Sequence, residues 1–147
     1  PRLIDLGVNS TLISPSINLT IAQRLIRKLC EKSKYQDNPT TGEIKTVKNL
    51  IDALPKNIKK PDLKNFKIWR AKPCSFCNNT GYKGRIGIFE IILIDENIEK
   101  LVLRNPTEYE IRNAASNQGV MTMQQDSILK ILKGETSFEE VQRIIQL

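Results

Sequence analysis

The sequence predicts an α+β fold, mainly helical, and three observations carry that prediction. Residues 85–94 read R-I-G-I-F-E-I-I-L-I, an isoleucine-rich run with one aromatic that favours a strand. Immediately before it, residues 74–84 read C-S-F-C-N-N-T-G-Y-K-G. This is a C-x-x-C pair followed by amide and glycine residues that let the backbone fold back, as in a metal knuckle. From residue 95 to its end the chain breaks into four short, capped helical segments, which suit a small helical subdomain.

At the start of the chain, P-R-L-I-D-L-G-V makes a short turn with Gly7 as a helix C-cap. Over residues 10–22, Leu12, Ile13, Ile17, Ile21 and Ala22 suit a helix with one buried face. Pro15 fits only a first turn, so the helix is expected to start near Ser14, with Ser14 as its N-cap. At 23–29, Q-R-L-I-R-K-L spaces Leu25 and Leu29 as a helix would and also alternates as a strand would, so periodicity leaves both open. Residues 31–65 are polar and lysine-rich. Within them Ile44, Val47, Leu50, Ile51 and Leu54 form the stripe of a short amphipathic helix, capped by Thr40 or Thr41 and stopped by Pro55. A lysine-rich linker lies between Pro55 and Pro61, and residues 66–71 suggest a short strand.

Past the strand at 85–94, Asp95 caps a helix carrying Ile98, Leu101 and Val102, and Asn105-Pro106 breaks it. Residues 107–117 carry Tyr109, Ile111, Ala114 and Ala115, and Gly119 ends the segment. T-M-Q-Q at 122–125 and S-F-E-E at 137–140 both have the capping-box pattern. They open helices with Ile128, Leu129, Ile131 and Leu132, ended by Gly134, and with Val141, Ile144 and Ile145.

A chain of 147 residues supports one domain with a core or two small ones, and 39% hydrophobic with 27% charged residues is ordinary for a soluble protein. No apolar run is long enough to span a bilayer, and no signal peptide is visible. The first residue is Pro1, which reads as the start of an excised piece. Three cysteines do not make a secreted disulfide framework, and a reducing, cytoplasmic setting fits better. Residues 1–94 hold 17 Lys and Arg against 7 Asp and Glu, a balance of +10, while residues 95–147 hold 6 against 9, a balance of −3. The basic part suits nucleic acid, acidic lipid, nucleotide phosphates or an acidic neighbour, or is simply a solvated lysine surface. Histidine is absent, which removes the commonest general base and the commonest nitrogen ligand.

The candidate metal ligands are Cys30, Cys74 and Cys77. Two C-x-x-C pairs would be the strong form of a structural zinc signal. Here the first pair reads C-E-K-S, so Ser33 stands where the fourth sulfur would be, and Asp37 or a water would have to complete the site. Against zinc stands a metal-free knuckle held by packing of Trp69, Phe76 and Tyr82. A redox C-x-x-C normally opens a helix in a βαβ unit, whereas Pro73 and a glycine-rich turn flank this pair. No G-x-x-x-x-G-K-[ST] phosphate loop occurs, so ATP and magnesium should bind this chain weakly or not at all. Asp95-Glu96 and Glu139-Glu140 sit at helix starts, where carboxylates complement the dipole. Phe66, Trp69, Phe76 and Tyr82 among lysines fit either the small core of a knuckle or a nucleic-acid stacking platform.

Three ordered blocks carry a resemblance. A-Q-R-L-I-R-K-L-C at 22–30, the knuckle and strand at 74–90, and G-V-M-T-M-Q-Q-D at 119–126 with T-S-F-E-E-V at 136–141 resemble the hexameric motor ATPases of type IV pilus assembly and type II secretion. The resemblance covers nearly the whole chain. It implies a RecA-like ATPase domain with a cysteine-bearing insertion between two antiparallel strands, so that 23–29 is a strand pairing with 84–93. On that basis residues 1–29 and 84–94 belong to the C-terminal part of the ATPase core, 30–83 is the insertion, and 95–147 is the helical subdomain. The strand ends would then gather Cys30, Cys74 and Cys77. Gln23 and Arg24 would brace the strand beside the nucleotide site. Arg85 and Glu90 are further structural positions, with Glu90 paired to Arg24 or Arg27 across the hairpin. The parent protein would use ATP and magnesium. It would work as a cytoplasmic hexamer on an inner-membrane platform protein, without nucleic acid, and this piece alone would not be catalytic. The alternative is a basic zinc-ribbon-like module that binds nucleic acid.

Overall fold

A computed structural model of the chain describes residues 2–147, apart from the side chains of Ile4, Ser10 and Ser14. The fold is α+β. The elements are α1 (Arg2–Asp5), α2 (Ser10–Ser16), β1 (Leu19–Leu29), β2 (Tyr35–Asp37), α3 (Thr41–Asp52), β3 (Ile68–Arg70), a 3-10 turn (Ser75–Cys77), β4 (Tyr82–Leu93), α4 (Glu96–Val102), α5 (Glu108–Ser116), α6 (Met123–Leu132) and α7 (Phe138–Ile144). Two two-stranded sheets form, β1 with β4 and β2 with β3. The ambiguous residues 23–29 are therefore strand. At one end of the first pair the Ile94 N–H donates to the Asn18 carbonyl at 2.9 Å, and at the other the Cys30 N–H donates to the Gly81 carbonyl at 3.0 Å. Residues late in one strand meet residues early in the other, so the pair is antiparallel. The second pair is antiparallel with Gln36 opposite Trp69.

The chain divides into two compact units. Residues 1–22 and 90–120 form the first, which takes α4 and α5; residues 23–89 and 121–147 form the second, which takes α6 and α7.

In the first unit α2 departs from expectation. It begins at Ser10, capped by the Asn9 side chain, which accepts from the Thr11 N–H at 3.0 Å, and it ends at Ser16. Pro15 lies inside it rather than in the first turn, where it withholds one helix hydrogen bond, and the helix stops one residue later. The chain then turns extended at Ile17, so Ile21 and Ala22 lie on a strand and not on a helix. The expected cap at Ser14 has a side chain outside the described set. Gly7 ends α1 with φ +83. Asp95 caps α4 by accepting from the N–H groups of Asn97 and Ile98. Thr107 and Glu110 form a capping box on α5. The Gln118 amide donates to the Leu93 carbonyl and to the Asp95 carboxylate.

In the second unit an apolar core joins Ile26 of β1, Ile88 of β4, Ile68 of β3, Val47 and Ile51 of α3, Ile128 and Ile131 of α6, and Phe138 and Val141 of α7. The α3 stripe and its Thr40 cap are as the spacing predicts, and Glu43 completes a capping box. Gly134 ends α6 with φ +72, and any Cβ there would lie 2.5 Å from the Trp69 ring. Glycine is thus required both by the left-handed turn and by the indole against it. Ser137 caps α7, but the expected box is only half made. Its hydroxyl accepts from the Glu140 N–H, while the Glu140 carboxylate turns elsewhere.

Candidate metal centre

Cys30 is the residue after β1. Its carbonyl accepts from the N–H groups of Ser33 at 3.1 Å and Lys34 at 2.9 Å, which curls the chain into a first tight turn. The second turn is the 3-10 segment at Ser75–Cys77. The Cys77 and Asn79 N–H groups both return to the Cys74 carbonyl. Asn78 and Asn79 take φ +51 and +59, a left-handed conformation that asparagine tolerates better than most residues. Gly81 follows at φ +77, where a Cβ would lie 2.8 Å from that of Ala71. Its N–H donates to Cys77 Sγ at 3.2 Å.

The two turns bring Cys30 Sγ within 3.7 Å of Cys74 Sγ, and Cys74 Sγ within 3.4 Å of Cys77 Sγ. All three sulfurs lie within 4.8 Å of one another. Cys30 and Cys77 are buried and Cys74 is partly exposed. Burial pushes the Cys77 thiol up, but hydrogen bonds from Cys74, the Gly81 N–H and Cys30 outweigh it and bring the pKa to about 6. Thiolate is the ligating form. A zinc–sulfur bond of about 2.3 Å places tetrahedral sulfurs about 3.8 Å apart, close to the Cys30–Cys74 spacing. The donor set therefore fits a metal through three sulfurs.

The fourth position is different. The Ser33 hydroxyl donates to the Lys72 carbonyl at 2.6 Å, and so serves the backbone of the neighbouring segment. Asp37, the other candidate, accepts from the Arg70 guanidinium and the Asn38 N–H. Among the described residues only the three cysteines gather.

Two ion clusters lie in the same unit, each built around a buried carboxylate, Glu140 or Glu43, and sequence reasoning missed both. The Glu140 side chain is fully buried and accepts from the Arg27 N–H at 3.0 Å, the Arg27 guanidinium at 2.6 and 2.9 Å, and the Arg143 guanidinium at 2.8 and 3.0 Å. Burial pushes its carboxyl up, but the two arginines outweigh burial and hold it down at about 2. The Arg27 guanidinium also lies 4.2 Å over the Tyr82 ring, whose hydroxyl meets Ser137 Oγ at 2.7 Å. The second cluster centres on Arg70, which binds Glu43 through both terminal nitrogens and also reaches Asp37 and Glu139. The S-F-E-E pattern was the only sequence signal for Glu139 and Glu140, and it pointed to helix capping alone.

The Arg27 amide and guanidinium both serve the Glu140 carboxylate from α7. Gln23 and Arg24 are exposed on β1, Arg85 is exposed on β4, and Glu90 is half-buried. A Cβ on Gly87 would approach the Gln23 amide at 3.2 Å, which sets those two positions side by side.

The pairing of β1 with β4 and the gathering of the three thiols are as the sequence blocks led one to expect. The chain belongs to the type II/IV secretion system protein family, which it matches over residues 1–143. It is 32% identical over 143 residues to the type II secretion system protein HxcR of Pseudomonas aeruginosa, covering 97% of this chain and 24% of that protein. The figures are the same for the type IV pilus assembly ATPase PilB of that organism. It is 34% identical to the type II secretion system protein E of Aeromonas hydrophila, covering 26% of that protein. The chain thus spans about a quarter of the length of these relatives.

Proposed function

We propose that this chain is the C-terminal portion of a cytoplasmic, hexameric motor ATPase that powers pilin or pseudopilin assembly or type II secretion. The observation that carries the reading is the family match across 143 residues of a chain without a phosphate loop. The Pseudomonas aeruginosa relative named as an assembly ATPase is about four times as long, so the nucleotide machinery belongs to sequence outside these residues. The strands support this. Leu19, Ile21 and Leu25 of β1 and Phe89, Ile91 and Leu93 of β4 are all exposed. A lone two-stranded ribbon is marginal in water, so apolar strand positions of this kind suit the edge of a larger sheet. In the intact motor ATP and magnesium would bind the missing core, and this portion would supply contacts to neighbouring subunits and to an inner-membrane platform protein.

Within this reading Cys30, Cys74 and Cys77 hold a labile, chelator-sensitive zinc, with water in the fourth position, that ties the end of β1 to the turn before β4. The ion would supply a cross-link in place of covalent bonding. The nucleic-acid alternative gains little from the structure, because three of the four aromatics named for it already have a cationic partner. Lys32 and Lys83 sit over Phe76, Lys34 over Trp69 and Arg27 over Tyr82. A redox reading is no better placed, since the C-x-x-C pair lies on a 3-10 turn and not at the start of an α-helix.

The test has two parts. Calorimetry of this chain with ATP and magnesium should show no micromolar binding, and such binding would contradict the placement outside the catalytic core. In the full-length parent, deletion of the region matching this chain should abolish assembly or secretion; a parent that still assembles would sink the reading.

A further inference from the structure

We propose that the cysteine cluster takes one thiophilic ion that is satisfied by three sulfurs, with trivalent arsenic as its representative, in preference to zinc. The proposal rests on the metal-site part of the reading above and not on the motor part.

The donor set is the reason. Cys30 is 0% and Cys77 5% exposed, so two of the three sulfurs sit in a dry setting. Sulfur spacings of 3.4 and 3.7 Å let one small ion reach all three. Ser33 has turned its hydroxyl to the Lys72 carbonyl and Asp37 is held by Arg70, so a fourth protein ligand is not at hand. Zinc in structural sites is almost always four-coordinate and would have to recruit water on the Cys74 side, the exposed one. Trivalent arsenic makes three bonds in a pyramid and keeps a lone pair where zinc needs a ligand. The Gly81 N–H fixes Cys77 Sγ, so one corner of the sulfur triangle is set before the ion arrives. Soft thiolate donors select soft ions.

The exchange balances without a redox step. Arsenous acid, As(OH)3, loses three As–O bonds and gains three As–S bonds. The three thiol protons leave with the three hydroxyls as water, and no electron changes hands.

The experiment uses the reduced chain, sodium arsenite and zinc chloride. Native and denaturing mass spectrometry read stoichiometry, and a chromophoric zinc indicator reads competition. One arsenic per chain is expected, and equimolar zinc should not displace it. Cys30→Ala should weaken arsenite binding by at least the roughly 10–100-fold that loss of an outer-shell partner alone costs a metal site. Cys74→Ala repeats the test at a partly exposed position, with circular dichroism confirming the fold of each variant. Ser33→Cys should reverse the preference towards zinc. Displacement of arsenic by equimolar zinc from the native chain overturns the proposal and leaves the zinc reading standing. Unchanged arsenite affinity in Cys30→Ala, with both variants folded, also overturns it, because the adduct would then be a two-thiol one. Failure of both ions to bind overturns it together with the metal-site reading.

Discussion

The two compact units of this chain are built on different physics. The unit of residues 23–89 and 121–147 holds nearly all the buried apolar side chains, from Ile26 and Ile68 to Ile128, Ile131 and Val141. The unit of residues 1–22 and 90–120 buries Ile98 and Ala115 and exposes Leu6, Leu12, Ile21, Leu93, Leu103 and Tyr109. Its helices carry local caps at Asn9 and Asp95 and the Thr107–Glu110 box, and the Gln118 amide reaches back 23 positions to Asp95. The unit of residues 23–89 and 121–147 has a continuous buried apolar core, whereas the other buries little apolar side chain.

The largest effect that can break the comparison is a cavity in the packed unit. Ile131→Ala, at a side chain with 0% exposure, should lower the unfolding free energy by about 2–5 kcal/mol in denaturant titration. A loss below about 1 kcal/mol would mean that the core is not the support described here.

Next comes Glu140→Ala, which strands two arginines and the Arg27 amide. Breaking a fully buried pair costs about 3–5 kcal/mol. Here Arg27 and Arg143 stay 42% and 55% exposed and can rehydrate, so about 2–3 kcal/mol is expected. The same group sets an acid limb. A carboxyl held at about 2 rather than the ordinary 4.5 favours the fold fully above pH 4.5. That contribution is lost as the pH falls towards 2, because the unfolded chain takes up the proton first. Melting temperature followed from pH 6 to pH 2 should fall through that window, and less steeply in Glu140→Gln.

Smaller still is Thr107→Ala in the open unit, which removes a cap and should cost about 1 kcal/mol of local stability, seen as faster amide exchange over α5 alone. Exchange changes that spread to α3 or α6 would blur the division into two units. Smallest is Leu6→Ser, at a side chain 76% exposed, which should stay within about 0.5 kcal/mol of the parent chain.

What the sequence determined by itself is local. Thr40, Asp95 and Thr122 announce their helices because each cap oxygen and the N–H groups it accepts from lie within three residues. The knuckle is legible in the same way, since C-x-x-C and the amide-glycine run after it set their own turn. The start of α2 was not, because Asn9 could out-compete Ser14 as a cap only if Pro15 was tolerated inside the helix. Tertiary structure alone decided that Glu140 serves Arg27 across 113 positions in place of completing its own capping box. It also gathered Cys30 with Cys74 across 44 positions and left Ser33 facing a backbone carbonyl. A buried carboxylate goes where two cations and an amide can satisfy it, and nothing within one turn of Glu140 can offer all three.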